Sequence, residues 1–445
     1  METEAPVDQQ AFRWFVGIDW GTAEHTVNVA DASGQLVDER TIEHTSVGLG
    51  RFVDWLTQLA GAEMQSVAVA IEVPRGAVVE LLLERGAAVF AVNPKQLDRF
   101  RDRFSPAGAK DDRLDAKVLC SALRTDRQYF RRLALDEPLV IRVRELRRAS
   151  DVLQKEFMAL TNRLRELVHR IGPQWLSLST NADDPWFWAF LEVAATPALG
   201  RPMRRKTLQR VLDTYRIRRV TVEDVFTVLE GPPLTVAPGT VEAVTSHIQL
   251  LLRRVQLVYE QRQLCDRELE TVLAELSTTD ELPPPNPGDS GTSTRTPNTL
   301  ASGPKDVTIL RSLPGAGIFV TSTFVAEASP LLHTRDYAGL RAVTGSAPVR
   351  RQTGKNKRGT VSMRYACNMR LRNACYHLAR ASTQFDAEAR QYYATLRARG
   401  HSHGRALRSV ADRWLRILIA MLKTRTLYDP ARFATMGPSG LQANS

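Results

Sequence analysis

Phe15-Val-Gly-Ile-Asp-Trp-Gly21 is the stretch on which the reading of this chain turns. Apolar residues run straight into Asp19, Trp20-Gly21-Thr22 follows, and a second extended run spans His25 to Ala30. The pattern predicts a β-hairpin with a carboxylate at the end of its first strand. Further out, Ser66-Val-Ala-Val-Ala-Ile71 is a buried-strand run that ends on Glu72. Beyond it, Lys110-Asp-Asp-Arg-Leu-Asp-Ala116 opens a helical stretch from Ala116 to Leu123. Residues three or four apart share a helix face, so Asp112 and Asp115 point the same way. Singly, a strand-end aspartate is a turn residue and an acidic helix pair is a solvated face. Four acids at these element ends predict a divalent-metal site instead. A hard cation such as Mg2+ takes oxygen ligands from a few carboxylates and keeps positions open for phosphate.

A chain of 445 residues has room for two or three domains with real cores. Its formal charge of +11 favours a polyanionic partner, most simply nucleic acid. The four cysteines (Cys120, Cys265, Cys367, Cys375) include no CxxC pair, which argues against a zinc knuckle and a disulfide scaffold. The histidines show no metal spacing; His401 and His403 read as solvated loop residues. The acidic, polar N-terminus does not read as a signal peptide. The most apolar run, Leu415 to Leu422, contains Arg416 and is far too short to span a bilayer. A soluble, cytoplasmic protein is the expectation.

Residues 1–13 read as a tail. From 14 to 130, strands are predicted near 14–20, 25–31, 36–43, 66–72 and 87–92, and helices near 46–60, 75–85, 94–104 and 111–125. Three strands followed by alternating helices and strands predict an RNase H-like α/β domain. Region 131–276 carries the clearest periodicity. Leu139, Leu146, Leu153, Leu160 and Leu167 recur every seven residues, with Val143, Ser150, Phe157, Leu164 and Ile171 four positions after each. A second heptad runs from Val244 to Leu276, broken by Arg262. Both predict coiled-coil helices, paired within one chain or across a dimer, and a homo-oligomer through them is expected. The insert at 173–240 holds an aromatic cluster (Trp186, Phe187, Trp188, Phe190) and a basic one (Arg201, Arg204, Arg205, Lys206, Arg210). These read equally as a small helical core with a solvated face or as a phosphate-tracking surface. Residues 277–306 are a Pro/Gly/Ser/Thr-rich linker that buries too little apolar surface to offset the entropy of ordering it.

The region 307–435 is a mostly helical C-terminal domain, followed by a tail at 436–445. Leu313-Pro-Gly-Ala-Gly317 leads into a helix, either as half of a phosphate-holding helix-hairpin-helix or as a plain interhelical turn. From Tyr337 to Phe385 there is no acid, while Arg341, Arg350, Arg351, Lys355, Lys357, Arg358, Arg364, Arg370, Arg372 and Arg380 are all basic. A solvated face mixes signs, so this span predicts contact with a phosphate backbone.

Gly-Ile-Asp19, Glu72 after a buried strand, and Lys110-x-Asp112-x-x-Asp115-Ala together resemble the DEDD, RuvC-like half of the insertion-sequence 110 transposases. Leu-Pro-Gly-x-Gly, Gly345-Ser-Ala-Pro348, Gln352-Thr-Gly-Lys355 and Met363-Arg-Tyr-Ala-Cys-Asn-Met-Arg-Leu-Arg372 resemble, in order, its serine-transposase-like domain. The resemblance covers most of the chain. It implies an α/β RuvC-like domain followed by all-α regions, and a DNA recombinase guided by a structured bridge RNA. It further implies catalytic and metal-binding roles for Asp19, Glu72, Asp112 and Asp115, with Asp111 as an extra neighbour, and Mg2+ as cofactor. The family's nucleophilic serine falls on Thr353, the one real departure; Ser346 and Ser362 are reserves. A threonine keeps the oxygen but adds a methyl and a stiffer χ1. Two other classes are weighed against this reading. One is an inactive nucleic-acid-binding relic. The other is an actin-like or sugar-kinase ATPase, suggested by Val16-Gly-Ile-Asp-Trp-Gly-Thr22, but neither its second phosphate loop nor its Gly-rich adenosine site is found.

Overall fold

The computed structural model describes residues 11–104, 111–134, 136–194, 204–232, 234–278, 304–353 and 356–431, and the side chains of these except at 350–361. The chain divides into two units, Met1–Glu137 and Pro138–Ser445.

In the first unit, period-two alternation sorts side chains to two faces of one mixed sheet. Its strands are β1 (Trp14–Asp19), β2 (Glu24–Asp31), β3 (Leu36–Glu43), β4 (Val67–Ile71), β5 (Ala88–Ala91) and β6 (Arg131–Arg132), in the order 3-2-1-4-5-6. β1 lies antiparallel to β2 and parallel to β4, which is parallel to β5. Val16, Ile18, Val67, Val69, Ile71 and Val89 face α1 (Ser46–Leu59) and α2 (Ala77–Glu84). Phe15, Ala68, Ala70, Ala88 and Phe90 face α3 (Pro94–Arg101) and α4 (Asp112–Asp126). On that second face Gly17, Ala68, Ala70 and Ala88 are small, so α4 comes very close at Gly17. A Cβ on Gly17 would stand 2.0 Å from the Ala116 carbonyl oxygen, so no other residue fits there without moving the helix. Phe12, assigned to the tail from sequence, is buried edge-on to Phe15 and Phe90. The short β6 was not foreseen; two arginines carry no strand period.

In the second unit, α5 (Pro138–Ile171) and α9 (Thr240–Thr278) pack along each other within one chain. Heptad positions Val143, Phe157, Leu160, Leu164, Leu167 and Ile171 are buried, as are Val244, Ile248, Leu251, Val255, Val258, Leu269 and Val272 opposite them. Arg262, the break in the second heptad, places its guanidinium 4.7 Å from the centroid of the Phe157 ring. The seam from which an oligomer was expected is thus filled by an intrachain partner.

The insert contributes α6 (Pro185–Ala194), α7 (Arg205–Thr214) and α8 (Val222–Glu230). Trp186, Phe187, Trp188 and Phe190 are buried in the same core as α5 and α9, so the aromatic cluster is structural. Arg204, Arg205, Lys206 and Arg210 are exposed, and Arg205 pairs with Glu223; Arg201 lies outside the described residues.

The C-terminal helices are α10 (Asp306–Arg311), α11 (Ile318–His333), α12 (Tyr337–Val343), α13 (Met369–Phe385), α14 (Ala387–Ala398) and α15 (His403–Thr424). Leu371, Leu378, Trp414 and Leu418 centre their core. Val307, Val325 and Ala326 share a second core with Val140, Val143, Leu269 and Val272. Arg144 Nε donates to the Ala326 carbonyl at 2.8 Å. Sequence composition separates this region from the coiled coil, but in three dimensions it packs onto it. Most of the linker, 279–303, lies outside the described residues. Among the described residues no helix is long and apolar enough to cross a membrane.

Candidate acidic site and nucleic-acid face

The acids of the first unit are placed by strand pairing and by the approach of α4. Ile18 and Ile71 are the last pair between β1 and β4, so Asp19 and Glu72 follow side by side at one sheet end. Adjacent strands there are about 4.8 Å apart. Cys120 Sγ donates to the Phe15 carbonyl at 3.2 Å while Ala116 lies over Gly17, so α4 runs opposite to β1. Its first turn, carrying Asp112 and Asp115, therefore lies toward the end that holds Asp19 and Glu72. Asp19 and Glu72 are half-buried, and Asp111 and Asp112 are exposed.

Asp115 is the exception in its surroundings. It is 3% exposed, and its two carboxylate oxygens accept from Arg101 Nε at 2.6 Å and Nη2 at 2.8 Å. That bidentate pair raises the Arg101 guanidinium above its usual range. Among the described residues no group of three or more His, Cys, Asp or Glu side chains converges as a metal site. The donor chemistry, four carboxylates near one sheet end, suits Mg2+ in kind. Asp115 is the one donor of the four already engaged, because Arg101 occupies both its oxygens.

Sequence spacing missed a histidine pair beside these acids. The Gly21 amide donates to His25 Nδ1 at 3.2 Å, which leaves the His25 proton on Nε2, 2.7 Å from His44 Nδ1. The pair braces the turn after Asp19. Burial first, and His44 second, push His25 below its ordinary value of 6.5. The unfolded chain therefore takes up this proton first as pH falls, and stability drops from pH 6.5 down to the folded-state value. Urea midpoints compared at about pH 7 and pH 5 should fall less for His25→Gln than for the wild type. Equal falls would show that His25 does not titrate differently on folding.

In the second unit, β7 (Val349–Thr353) and β8 (Asn356–Ser362) form a hairpin with Val349 opposite Ser362 and Thr353 opposite Asn356. Thr353 is thus at the tip, and Ser362 at the base. Gly354 and Lys355 lie outside the described residues, as do the side chains of Arg350, Arg351, Thr353, Lys357 and Arg358. The described arginines of the 337–385 span are not uniformly open to a phosphate backbone. Arg341 holds both oxygens of Asp412, and Arg370 pairs with Asp151 at 2.9 Å and Glu327 at 3.6 Å. Arg372 Nη2 donates to the Arg364 carbonyl. The left-handed Gly345 makes room for Arg372, since a Cβ there would stand 2.8 Å from Nη2. The 313–317 turn packs Leu313 and Ala316 into the core with α13, as an interhelical turn does.

Residues 16–173 match a family profile described as a DEDD transposase, and residues 307–394 match one described as Transposase IS116/IS110/IS902 family. A DEDD transposase domain implies a divalent metal, usually Mg2+. A Sinorhizobium fredii protein that carries a transposase name, y4uE, is 44% identical over 206 residues, 46% of this chain and 57% of that protein. A Streptomyces coelicolor protein named for the mini-circle transposase of IS117 is 26% identical over 94% of this chain and 96% of its own length. The insertion element IS116 44.8 kDa protein of Streptomyces clavuligerus is likewise 26% identical, over 94% and 97%. Two transposase profiles in the expected order, with relatives aligned end to end, identify a DNA transposase: the chain belongs to the IS110 family of insertion-sequence transposases.

Proposed function

We propose that this transposase is an RNA-guided recombinase, in which a hydroxyl of the C-terminal unit carries strand exchange and the acids of the N-terminal unit act on the phosphodiester. The observation that most supports it is the gathering of Asp19, Glu72, Asp112 and Asp115 toward one end of the sheet by parallel pairing and the approach of α4 at Gly17. The strand order supports an RNase H-like, RuvC-like reading of that unit. Asp19, Glu72, Asp112 and Asp115 are the residues that would hold Mg2+, once Arg101 releases Asp115. A bound ion there would supply charge neutralisation at phosphate.

In the exchange, the Thr353 hydroxyl oxygen bonds to phosphorus as the P–O3′ bond breaks. The threonine proton leaves to a base or solvent, and the departing 3′-oxygen takes one up. The 3′-hydroxyl of the exchanged strand then attacks phosphorus, re-forms a P–O3′ bond and returns the threonine. One phosphodiester-type link replaces another at each step, so no ATP is consumed.

The test is strand exchange on labelled DNA, with and without RNA transcribed from the DNA flanking the reading frame. Exchange should need that RNA and Mg2+, and chelation should reduce it by roughly two orders of magnitude or more. Exchange without RNA would remove the guide from the reading, and undiminished exchange under chelation would remove the metal.

A further inference from the structure

At the base of the 349–362 hairpin lies a cavity of about 440 Å3, lined by Arg341, Ser346, Ser362, Arg405, Arg408 and Asp412 among others. Its volume is in the range of small-ligand sites, roughly 300–1,000 Å3. Arg405, Arg408 and Asp412 lie three to four residues apart on α15 and so share one face. The cavity's acid is already used: Asp412 accepts from Arg341 Nε and Nη2, at 2.5 and 3.0 Å, and from the Tyr337 hydroxyl at 3.1 Å. Among the described residues, Arg405, Arg408 and nearby Arg372 have no carboxylate partner. The Nε atoms of Arg372 and Arg364 are buried without an acceptor. Burial, followed by the charges of Arg372 and Arg405, pushes Arg408 below its usual range. Several cations are held close together with one spent anion between them, and the Ser346 and Ser362 hydroxyls add uncharged donors.

We propose that this cavity is a phosphate subsite for the DNA backbone, with Arg405 and Arg408 as its charged ligands and Ser346 and Ser362 as hydroxyl donors. A phosphodiester supplies the missing negative charge in a form that guanidinium forks match. Thr353 is four residues beyond Val349, roughly 13 Å along an extended strand. The subsite therefore holds a phosphate within a few nucleotides of the one attacked and positions the strand for it. The inference deepens the transposase reading and rests on it.

The experiment measures binding of a labelled DNA duplex of arbitrary sequence against salt, for wild type, Arg405→Gln, Arg408→Gln, the double variant, and Arg413→Gln as control. Arg413 is on the same helix but pairs with Glu388 at 3.0 Å. Each of the first two substitutions should weaken binding roughly tenfold, and the double variant should flatten the slope of log affinity against log salt by about one unit. Arg413→Gln should change neither. Melting of the free protein separates this from a packing role: Arg408→Gln should leave the melting temperature unchanged or raise it, because it relieves crowding of like charges. A lowered melting temperature with unchanged DNA affinity would make Arg408 structural and overturn the proposal. Arg405 is exposed, so Arg405→Gln tests the site even if the double variant does not fold. An unchanged salt slope in a folded variant overturns the subsite alone, whereas a wild type that binds no DNA overturns the proposed recombinase reading with it. Losses confined to an RNA duplex of the same sequence would reassign the cavity to the guide and also overturn it.

Discussion

Thr353→Ala should eliminate a covalent protein–DNA adduct while leaving DNA and RNA binding largely in place. Alanine removes the attacking oxygen, and losing a nucleophile costs several orders of magnitude in rate. The neighbouring basic residues, proposed to supply affinity, are untouched. Thr353→Ser keeps the oxygen and drops the methyl that stiffens χ1, so activity should persist or rise. Thr353→Val keeps the shape without the hydroxyl and should behave like alanine. The three substitutions separate chemistry from packing. The readout is an SDS-resistant adduct on a labelled DNA junction, followed by peptide mapping. An adduct in the valine variant, or one mapping to Ser346 or Ser362, would move the nucleophile to the base of the hairpin. No adduct in either the wild type or the serine variant, with nucleic acid bound, would favour the inactive relic.

Single substitutions of Asp19, Asp112 or Asp115 by Asn, or of Glu72 by Gln, should abolish recombination. Each removes one carboxylate from the proposed phosphate-activating site, at a cost of roughly 3 kcal/mol or more in the transition state, about a hundredfold or greater loss of rate. The four differ in what else they disturb. Asp112 is exposed, so Asp112→Asn should leave the melting temperature within a degree or two of the wild type. Asp115→Asn leaves the largely buried Arg101 with only the exposed Asp98 as its anion, and Arg101→Gln leaves the buried Asp115 carboxylate without its cation. Breaking a buried pair from one side costs roughly 3–5 kcal/mol, so both should melt well below the wild type. Wild-type recombination in any two of the carboxylate variants would sink the site. An unchanged melting temperature in Arg101→Gln would show that the pair does not persist in solution.

Much of the architecture follows from local pattern. The strand-like runs, apolar or alternating, at 14–19, 24–31, 36–43, 67–71 and 88–91 became strands within a residue or two of the expected ends. The seven-residue repeats became two long helices. Both periods depend only on which residues lie two, three or four positions apart, so one sequence suffices to read them. The element ends that carry Asp19, Glu72, Asp112 and Asp115 were legible for the same reason.

What local pattern does not contain is the identity of each partner. The heptads predict a seam but not whose helix fills it; folding chose α9 of the same chain. The acid-free stretch from Tyr337 to Phe385 looked uniformly open to phosphate. Yet Asp412, 71 positions away, and Asp151, 219 positions away, come back in space to hold Arg341 and Arg370. Among the described residues, Arg405 and Arg408, outside that stretch, have no carboxylate partner. The Arg101–Asp115 pair and the His25–His44 bond likewise join elements that spacing does not relate. Sequence by itself determined the periods and the acids at the element ends, because these depend on near neighbours along the chain. Only the tertiary structure decided which charges are neutralised and which are left open, because a charge is neutralised by whatever lies within a few ångströms of it, however distant in sequence.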